Sequence, residues 1–190
     1  MQPKNSKLCL VTGAAGWLGS RLTQMLAHGL PEHPALREPD NELRIRALVL
    51  PGQDTSGLRK LSERIEILEG DIRNAPDCAK LCADAKDAVL FHTAGIIHPK
   101  RVADFYDINV TGTERLLNAA IAAGVKRAVV VSSNSPCGCN PHPDHLFDEL
   151  SPFNPYMNYG RSKMQMELAV RERAAKIETV IIRAPWFYGP

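Results

Sequence analysis

The sequence predicts an α/β fold in which a doubly wound parallel sheet is covered by helices on both faces. Three observations lead there. Six short apolar runs are spread along the chain, with amphipathic or polar segments between them. The runs are almost continuously apolar rather than alternating, as strands buried on both faces require. Repeated strand–helix–strand units joined by right-handed crossovers assemble as a parallel sheet.

KLCLV at 7–11 ends in Thr12-Gly13 and reads as the first strand. Leu18, Leu22, Met25 and Leu26 then recur at helical spacing over 17–28. LRIRALVL at 43–50 is the second strand, stopped by Pro51-Gly52. RIEILEG at 64–70 and DAVLFHTAG at 87–95 are the third and fourth. A long helix is expected over 105–123, with Phe105, Ile108, Leu116, Leu117 and Ile121 among its apolar positions and Gly124 ending it. KRAVVVSS at 126–133 is the fifth strand. A helix over 155–176 carries Met164 and Leu168 on one face, and ETVIIRA at 178–184 is the sixth strand. LPEHPALREPDNE at 30–42 is longer than an αβ loop needs and reads as a surface insertion. The expected architecture is three layers, α/β/α, of the Rossmann type.

A chain of 190 residues with 44% hydrophobic composition is one domain able to bury a core. A net charge of +2 without a block of like charge argues against a nucleic-acid partner. LRKLSER at 58–64 reads as the solvated face of a short helix. Cys9, Cys78, Cys82, Cys137 and Cys139 form an odd set that suits a reducing compartment, with Cys9 acting as a small buried hydrophobe. MQPKNSK leads into the first strand without a signal-peptide apolar region, and no apolar run approaches the roughly 18 residues of a membrane span. The expectation is a cytoplasmic protein with a small-molecule substrate, no membrane partner, and a homodimer as the assembly to test.

TGAAGWLG places Gly13, Gly16 and Gly19 between the first strand and first helix. Glycines there let the backbone turn tightly and let a pyrophosphate approach the helix N-terminus, where free N–H groups favour an anion. An apolar strand before and an amphipathic helix after are the context that this motif requires.

Gly-x-x-Gly-x-x-Gly resembles the extended branch of the short-chain dehydrogenase/reductase superfamily, and further motifs follow in that family's order. GDIRN supplies Asp71 and Ile72 after the third strand, where the family contacts adenine. HTAG supplies Thr93, Ala94 and Gly95 after the fourth. NVTGT puts Asn109 at the family's structural asparagine, and RAPWFYGP resembles its Arg-Pro-x-x-x-Tyr-Gly-Pro stretch. The resemblance implies cofactor contacts from Gly13, Ala15, Gly16, Trp17, Leu18 and Gly19 in the glycine turn. It adds Asp71, Ile72 and the Thr93–Gly95 turn, then Tyr159, Lys163, Pro185 and Phe187.

YGRSK sets Tyr159 and Lys163 at i and i+4 on one helix face, and Ser133 ends the fifth strand. The resemblance implies that Ser133 orients the substrate oxygen, Tyr159 transfers the proton, and Lys163 holds the nicotinamide ribose and acidifies the tyrosine. Asn109 belongs to the same catalytic group. A tyrosine of pKa about 10 must fall by roughly three units, or about 4 kcal/mol, to act as a base near neutrality. One cation at about 4 Å supplies roughly that at an effective dielectric near 20. Tyr156, beside Pro155, reads as a packing or substrate contact, and counting back from Gly138 favours Ser133 over Ser132. The Thr-Asp-Glu triplet of the family's dehydratases is absent: Asn134 and Ser135 stand there.

CGCNPHPDH at 137–145 brings Cys137, Cys139, His142 and His145 close in sequence. Cys-x-Cys is tighter than usual zinc-ligand spacing, and two prolines stiffen the segment, so no metal is expected. The loop reads as a substrate border, with His142 and His145 as candidate contacts. Val49 and Leu50 stand where NAD-preferring members carry an acid, and the arginine of NADP-preferring members is missing too. Arg59 and Lys60 are the nearest cations, and the cofactor is NAD or NADP, with the balance slightly toward NADP. The resemblance implies a smaller helical substrate domain beginning near Pro190, so that domain is expected to be missing from this chain. The functions expected are dehydrogenation of an alcohol or reduction of a carbonyl (hydroxysteroid-like or dihydroflavonol-like), nucleotide-sugar epimerisation, or cofactor sensing without catalysis.

Overall fold

The structure, a computed structural model, describes residues 7–185. Its strands are β1 (Leu8–Thr12), β2 (Arg44–Val49), β3 (Ile65–Glu69), β4 (Val89–His92), β5 (Arg127–Val131) and β6 (Glu178–Ile182). Its α-helices are α1 (Trp17–His28), α2 (Ser56–Leu61), α3 (Ala75–Leu81), α4 (Val102–Tyr106), α5 (Thr113–Ala122) and α6 (Asn158–Glu172). The strands form one sheet in the order β3-β2-β1-β4-β5-β6, and every pairing is parallel. The winding reverses between β1 and β4, which opens a crevice at the carboxyl ends of those two strands. This is the expected Rossmann architecture.

Alternate residues of each strand feed the two faces. Leu10, Leu90 and Val130 pack with Leu81, Leu116, Leu117, Met166 and Val170 under α3, α5 and α6. Val11, Ile45, Ala47 and Val49 pack with Ala27 and Leu58 under α1 and α2. The expected cover on both faces is incomplete. On the α1 side the row continues through Phe91, Val129 and Val180, in register across β4, β5 and β6, but among the described residues no helix lies over its end. Val180 is 40% and Ile182 44% exposed.

Three other elements depart from the sequence reading. The helix expected over 105–123 is α4, a π-helical turn (Asp107–Gly112) and α5 in succession. Apolar spacing does not register that extra residue per turn, which places Asn109 inward. On α6 the buried residues are Gly160, Ser162, Lys163, Met166, Glu167, Ala169 and Val170, whereas Leu168 is exposed. Polar groups with internal partners occupy part of the face that a hydrophobic count assigns elsewhere. The short α3 starts with Pro76 in its first turn and buries Cys78 and Leu81, too brief for apolar periodicity to announce.

The 30–42 insertion is an ordered cap at the amino-terminal edge of the sheet. A 3-10 turn (Pro34–Leu36) folds back so that the Leu30 N–H donates to the Leu36 carbonyl at 2.6 Å. The Arg64 guanidinium donates to the carbonyls of Ala27, Asp40 and Leu43, closing the end of α1 against the insertion. It therefore lies away from the carboxyl-edge crevice.

Candidate active site

The glycine turn leaves β1 at Gly13, whose φ of +71° is open to glycine and strained for other residues. A Cβ on Gly13 would stand 2.8 Å from the Ala94 nitrogen, and one on Gly19 would stand 2.1 Å from the Gly13 carbonyl oxygen. The two glycines thus let α1 and the β4 turn close on the same point. Gly16 caps α1 with no side-chain bond, and the first turn carries no acidic residue. The N–H groups of a helix's first turn lack intrahelical partners, so this end suits a diphosphate.

An open groove of about 240 Å³ runs across the carboxyl edge from this turn. Of the expected cofactor residues, Gly13, Gly16, Asp71, Ile72, Thr93, Ala94 and Gly95 line it. Ala15, Trp17 and Leu18 stand beside the turn but outside that lining, and Gly19 is buried beneath it. Leu50 and Gln53 line the same groove, as do Arg73, Ile96 and Ile108. Arg73 belongs to the GDIRN stretch, whereas Gln53, Ile96 and Ile108 are marked by no motif. Arg59 does not line it and instead bonds Thr55 at 3.2 Å. Arg73 grips the Asp71 carboxylate at 2.6 and 2.9 Å, which holds that carboxyl below its ordinary pKa. Pro185 lies outside the groove lining, and Phe187 falls outside the described residues.

Ser133 and Tyr159 meet at the other end of the edge. Ser133 is buried, and its hydroxyl lies 3.0 Å from that of Ser135. Gly160 makes the approach feasible: a Cβ there would stand 2.7 Å from the Ser135 carbonyl oxygen. Burial raises the Tyr159 phenol above its ordinary pKa, and a hydrogen bond with Ser133 opposes the rise. The Phe105 ring stands 6.1 Å from the tyrosine ring. Ser132, one residue earlier, points elsewhere, donating to the buried Glu167 carboxylate at 2.6 Å. Arg183 holds that carboxylate from 2.8 Å.

Lys163 is buried on α6. Its ammonium donates to the Val131 carbonyl at 2.8 Å and lies 3.1 Å from the Met166 sulfur. Burial lowers its pKa to about 8, and the Glu167 charge partly restores it. Asn109 connects the two halves of the edge. Its side chain accepts from the Ile96 N–H at 2.9 Å and donates to the Ile96 carbonyl and to Ser162, each at 3.1 Å. Ser162 donates in turn to the Tyr159 carbonyl at 2.8 Å.

The cysteines and histidines of 137–145 do not converge. Cys137 is buried and Cys139 exposed, while the His142 and His145 rings meet edge to face at 5.6 Å. Among the described residues no group of three or more His, Cys, Asp or Glu is arranged to hold a metal. Gly138, at φ +84°, presses on the Asn154 carbonyl and sets this loop beside the start of α6.

The family model described as the NAD dependent epimerase/dehydratase family matches residues 9–190. The chain belongs to that family. Within the epimerase/dehydratase family it is 53% identical to an uncharacterised protein of Sinorhizobium fredii, over 98% of this chain and 52% of that one. It is 35% identical to a UDP-glucose 4-epimerase of Mycolicibacterium smegmatis, over 84% of this chain and 49% of that one. Among solved structures, a dTDP-glucose 4,6-dehydratase of Streptomyces venezuelae with NAD bound superposes with a TM-score of 0.80 at 28% identity. That match covers 96% of this chain and 57% of the dehydratase. The chain therefore spans about half the length of these relatives. No helix among the described residues is long and apolar enough to cross a membrane.

Proposed function

We propose that the chain binds a nicotinamide dinucleotide along the carboxyl edge and that the whole protein moves hydride between it and a carbinol or carbonyl carbon of a small molecule. The observation that carries this reading is the closure of Gly13, Gly19 and Ala94, which leaves a cradle that any Cβ would fill. When bound, the dinucleotide supplies the hydride acceptor or donor. Gly13 and the first turn of α1 hold the diphosphate, and Asp71 and Ile72 border the adenine. Ser133 orients the substrate oxygen, and the Tyr159 hydroxyl takes or returns its proton. Lys163 holds the nicotinamide ribose, with N–H donors to spare beside the one given to the Val131 carbonyl. Leu50 puts no carboxylate beside the adenosine ribose, which favours NADP over NAD as the partner of this chain.

A second reading is nucleotide-sugar epimerisation, in which the same residues serve oxidation and re-reduction of one carbon. The 35% identity to a UDP-glucose 4-epimerase over most of this chain supports it. Cofactor sensing without catalysis is disfavoured because Tyr159 and Lys163 are both retained.

Calorimetric titration with NAD and NADP in separate runs tests the reading. Binding of one or both is expected, and binding of neither overturns it. Absorbance of the reduced nicotinamide, followed with secondary alcohols and with UDP-sugars, then separates net oxidation from epimerisation. In the active pairing, Tyr159→Phe should lose turnover by about 100-fold or more with dinucleotide affinity kept. Equal turnover would remove Tyr159 from the chemistry.

A further inference from the structure

His92 is a buried titratable side chain at the crevice that the chemistry above does not use. It closes β4 at 1% exposure, between Thr12 at the end of β1 and Thr113 at the start of α5. Its Nδ1 lies 2.7 Å from the Thr12 hydroxyl and its Nε2 2.8 Å from that of Thr113. The Thr113 hydroxyl has a single proton, and it is given to the Asn109 carbonyl at 2.7 Å. Thr113 must therefore accept from the imidazole, which puts the ring proton on Nε2. Nδ1 is then the acceptor, and the Thr12 hydroxyl donates to it. The Thr12 oxygen remains able to accept from the Ala94 N–H at 3.4 Å.

We infer that His92 is a positioning residue that, as the neutral Nε2–H tautomer, sets the glycine turn and the Asn109 turn at a fixed distance across the crevice. On one side it fixes Thr12, the residue before Gly13, and through Thr12 the Ala94 amide against which Gly13 closes. On the other it fixes Thr113 and Asn109, whose side chain holds Ile96 and, through Ser162, the backbone of Tyr159. One ring thus connects the dinucleotide end of the edge to the helix that carries the proton-transferring tyrosine. The inference rests on the proposed reading of that edge as a single site. Lys163 is the charged group that acts on this imidazole, and with burial it keeps the ring neutral.

Two variants separate the arms. The carboxamide oxygen of His92→Asn can replace Nδ1 and accept from Thr12 but does not reach Thr113. The carboxamide nitrogen of His92→Gln can replace Nε2 and donate to Thr113 but offers Thr12 no acceptor. In the 190-residue chain, imidazole ¹⁵N shifts should report the proton on Nε2. H92N should speed exchange of the Ile96 amide by about tenfold or more and leave the Ala94 amide less affected. H92Q should do the reverse and lose about tenfold in NAD affinity, more than H92N loses. A proton on Nδ1, or equal acceleration of both amides in both variants, overturns the inference. Wild-type chain that binds no dinucleotide overturns the proposed function instead, and the tautomer and exchange results still decide the relay. If neither variant folds, the tautomer in the wild type decides it alone.

Discussion

The Lys163 ammonium donates to the Val131 carbonyl at 2.8 Å. Four residues along a helix put the Tyr159 and Lys163 side chains on one face, but the cation's position is set by which acceptor it finds. Here a strand-end carbonyl at the bottom of the crevice takes it. Burial opposes acidification of Tyr159, so a charge brought by a bound dinucleotide would be needed beside the ammonium.

That gives a titration with a sign. Burial holds the Tyr159 phenol above its ordinary pKa. Adding oxidised dinucleotide should lower it by about one unit or more, because the nicotinamide charge, beside the ammonium, favours the phenolate. Tyrosine ¹³C shifts followed across pH measure this with and without NAD. The fall should be smaller in Lys163→Met, and a wild-type phenol unmoved by NAD would show that Lys163 does not act through it.

Lys163 also makes stability depend on alkaline pH. Its folded pKa is about 8, against 10.5 for the ordinary side chain. Between those values the unfolded chain binds more protons than the folded one, so stability rises with pH. The cost of the buried ammonium is fully present below about pH 8 and is relieved on the way to 10.5. It is of the order of 3 kcal/mol. Urea unfolding at pH 7 and 10 should show wild type gaining on Lys163→Met by roughly that amount. Parallel pH dependence in the two proteins would place the ammonium in contact with water.

The glycine turn makes the sharpest steric prediction. Gly19→Ala forces a Cβ to 2.1 Å from the Gly13 oxygen, so α1 must move away from the turn. A loss of about 2–3 kcal/mol in thermal or urea unfolding is expected, with at least tenfold weaker dinucleotide binding. Gly57 is the control: a Cβ there meets nothing within 4 Å, and the position lies inside α2. Gly57→Ala should stabilise by up to about 1 kcal/mol. If Gly19→Ala behaves like Gly57→Ala, the turn does not close as described.

The six strands and the glycine turn were legible because each rests on local chemistry: apolar runs, and glycines at fixed offsets from a strand. The sequence does not display partners that are distant in the chain. His92 reads as one letter of an HTAG turn, yet its neighbours Thr12 and Thr113 are 80 and 21 residues away. The π-helical turn that points Asn109 inward has no apolar signature, so that stretch reads as one straight helix. The buried face of α6 was misjudged for a related reason. Lys163 and Glu167 count as polar in any periodicity, although Val131, Ser132 and Arg183 give them internal partners. The exposed Val180 end of the Phe91–Val129–Val180 row shows the opposite failure: a uniformly apolar strand does not say which helix covers it.

Leu50 is the position that tests the proposed cofactor choice. The residue follows β2 and leads into a tight turn in which Gly52 has φ +78°. The Gln53 N–H donates to the Leu50 carbonyl at 3.1 Å, and the Leu50 N–H donates to the Gln53 side-chain oxygen at 2.9 Å. That double tie fixes where a side chain at position 50 meets the groove. Leu50→Asp would introduce a carboxylate there that accepts from free ribose hydroxyls and repels a 2′-phosphate. The ratio of NADP to NAD affinity should fall by about tenfold or more, read by calorimetry, with folding stability changed little because the site is exposed. A low-salt repeat should enlarge the change, since screening weakens the repulsion between carboxylate and phosphate. An unchanged ratio would mean that the adenosine ribose does not reach position 50, and that the groove holds the dinucleotide in another register.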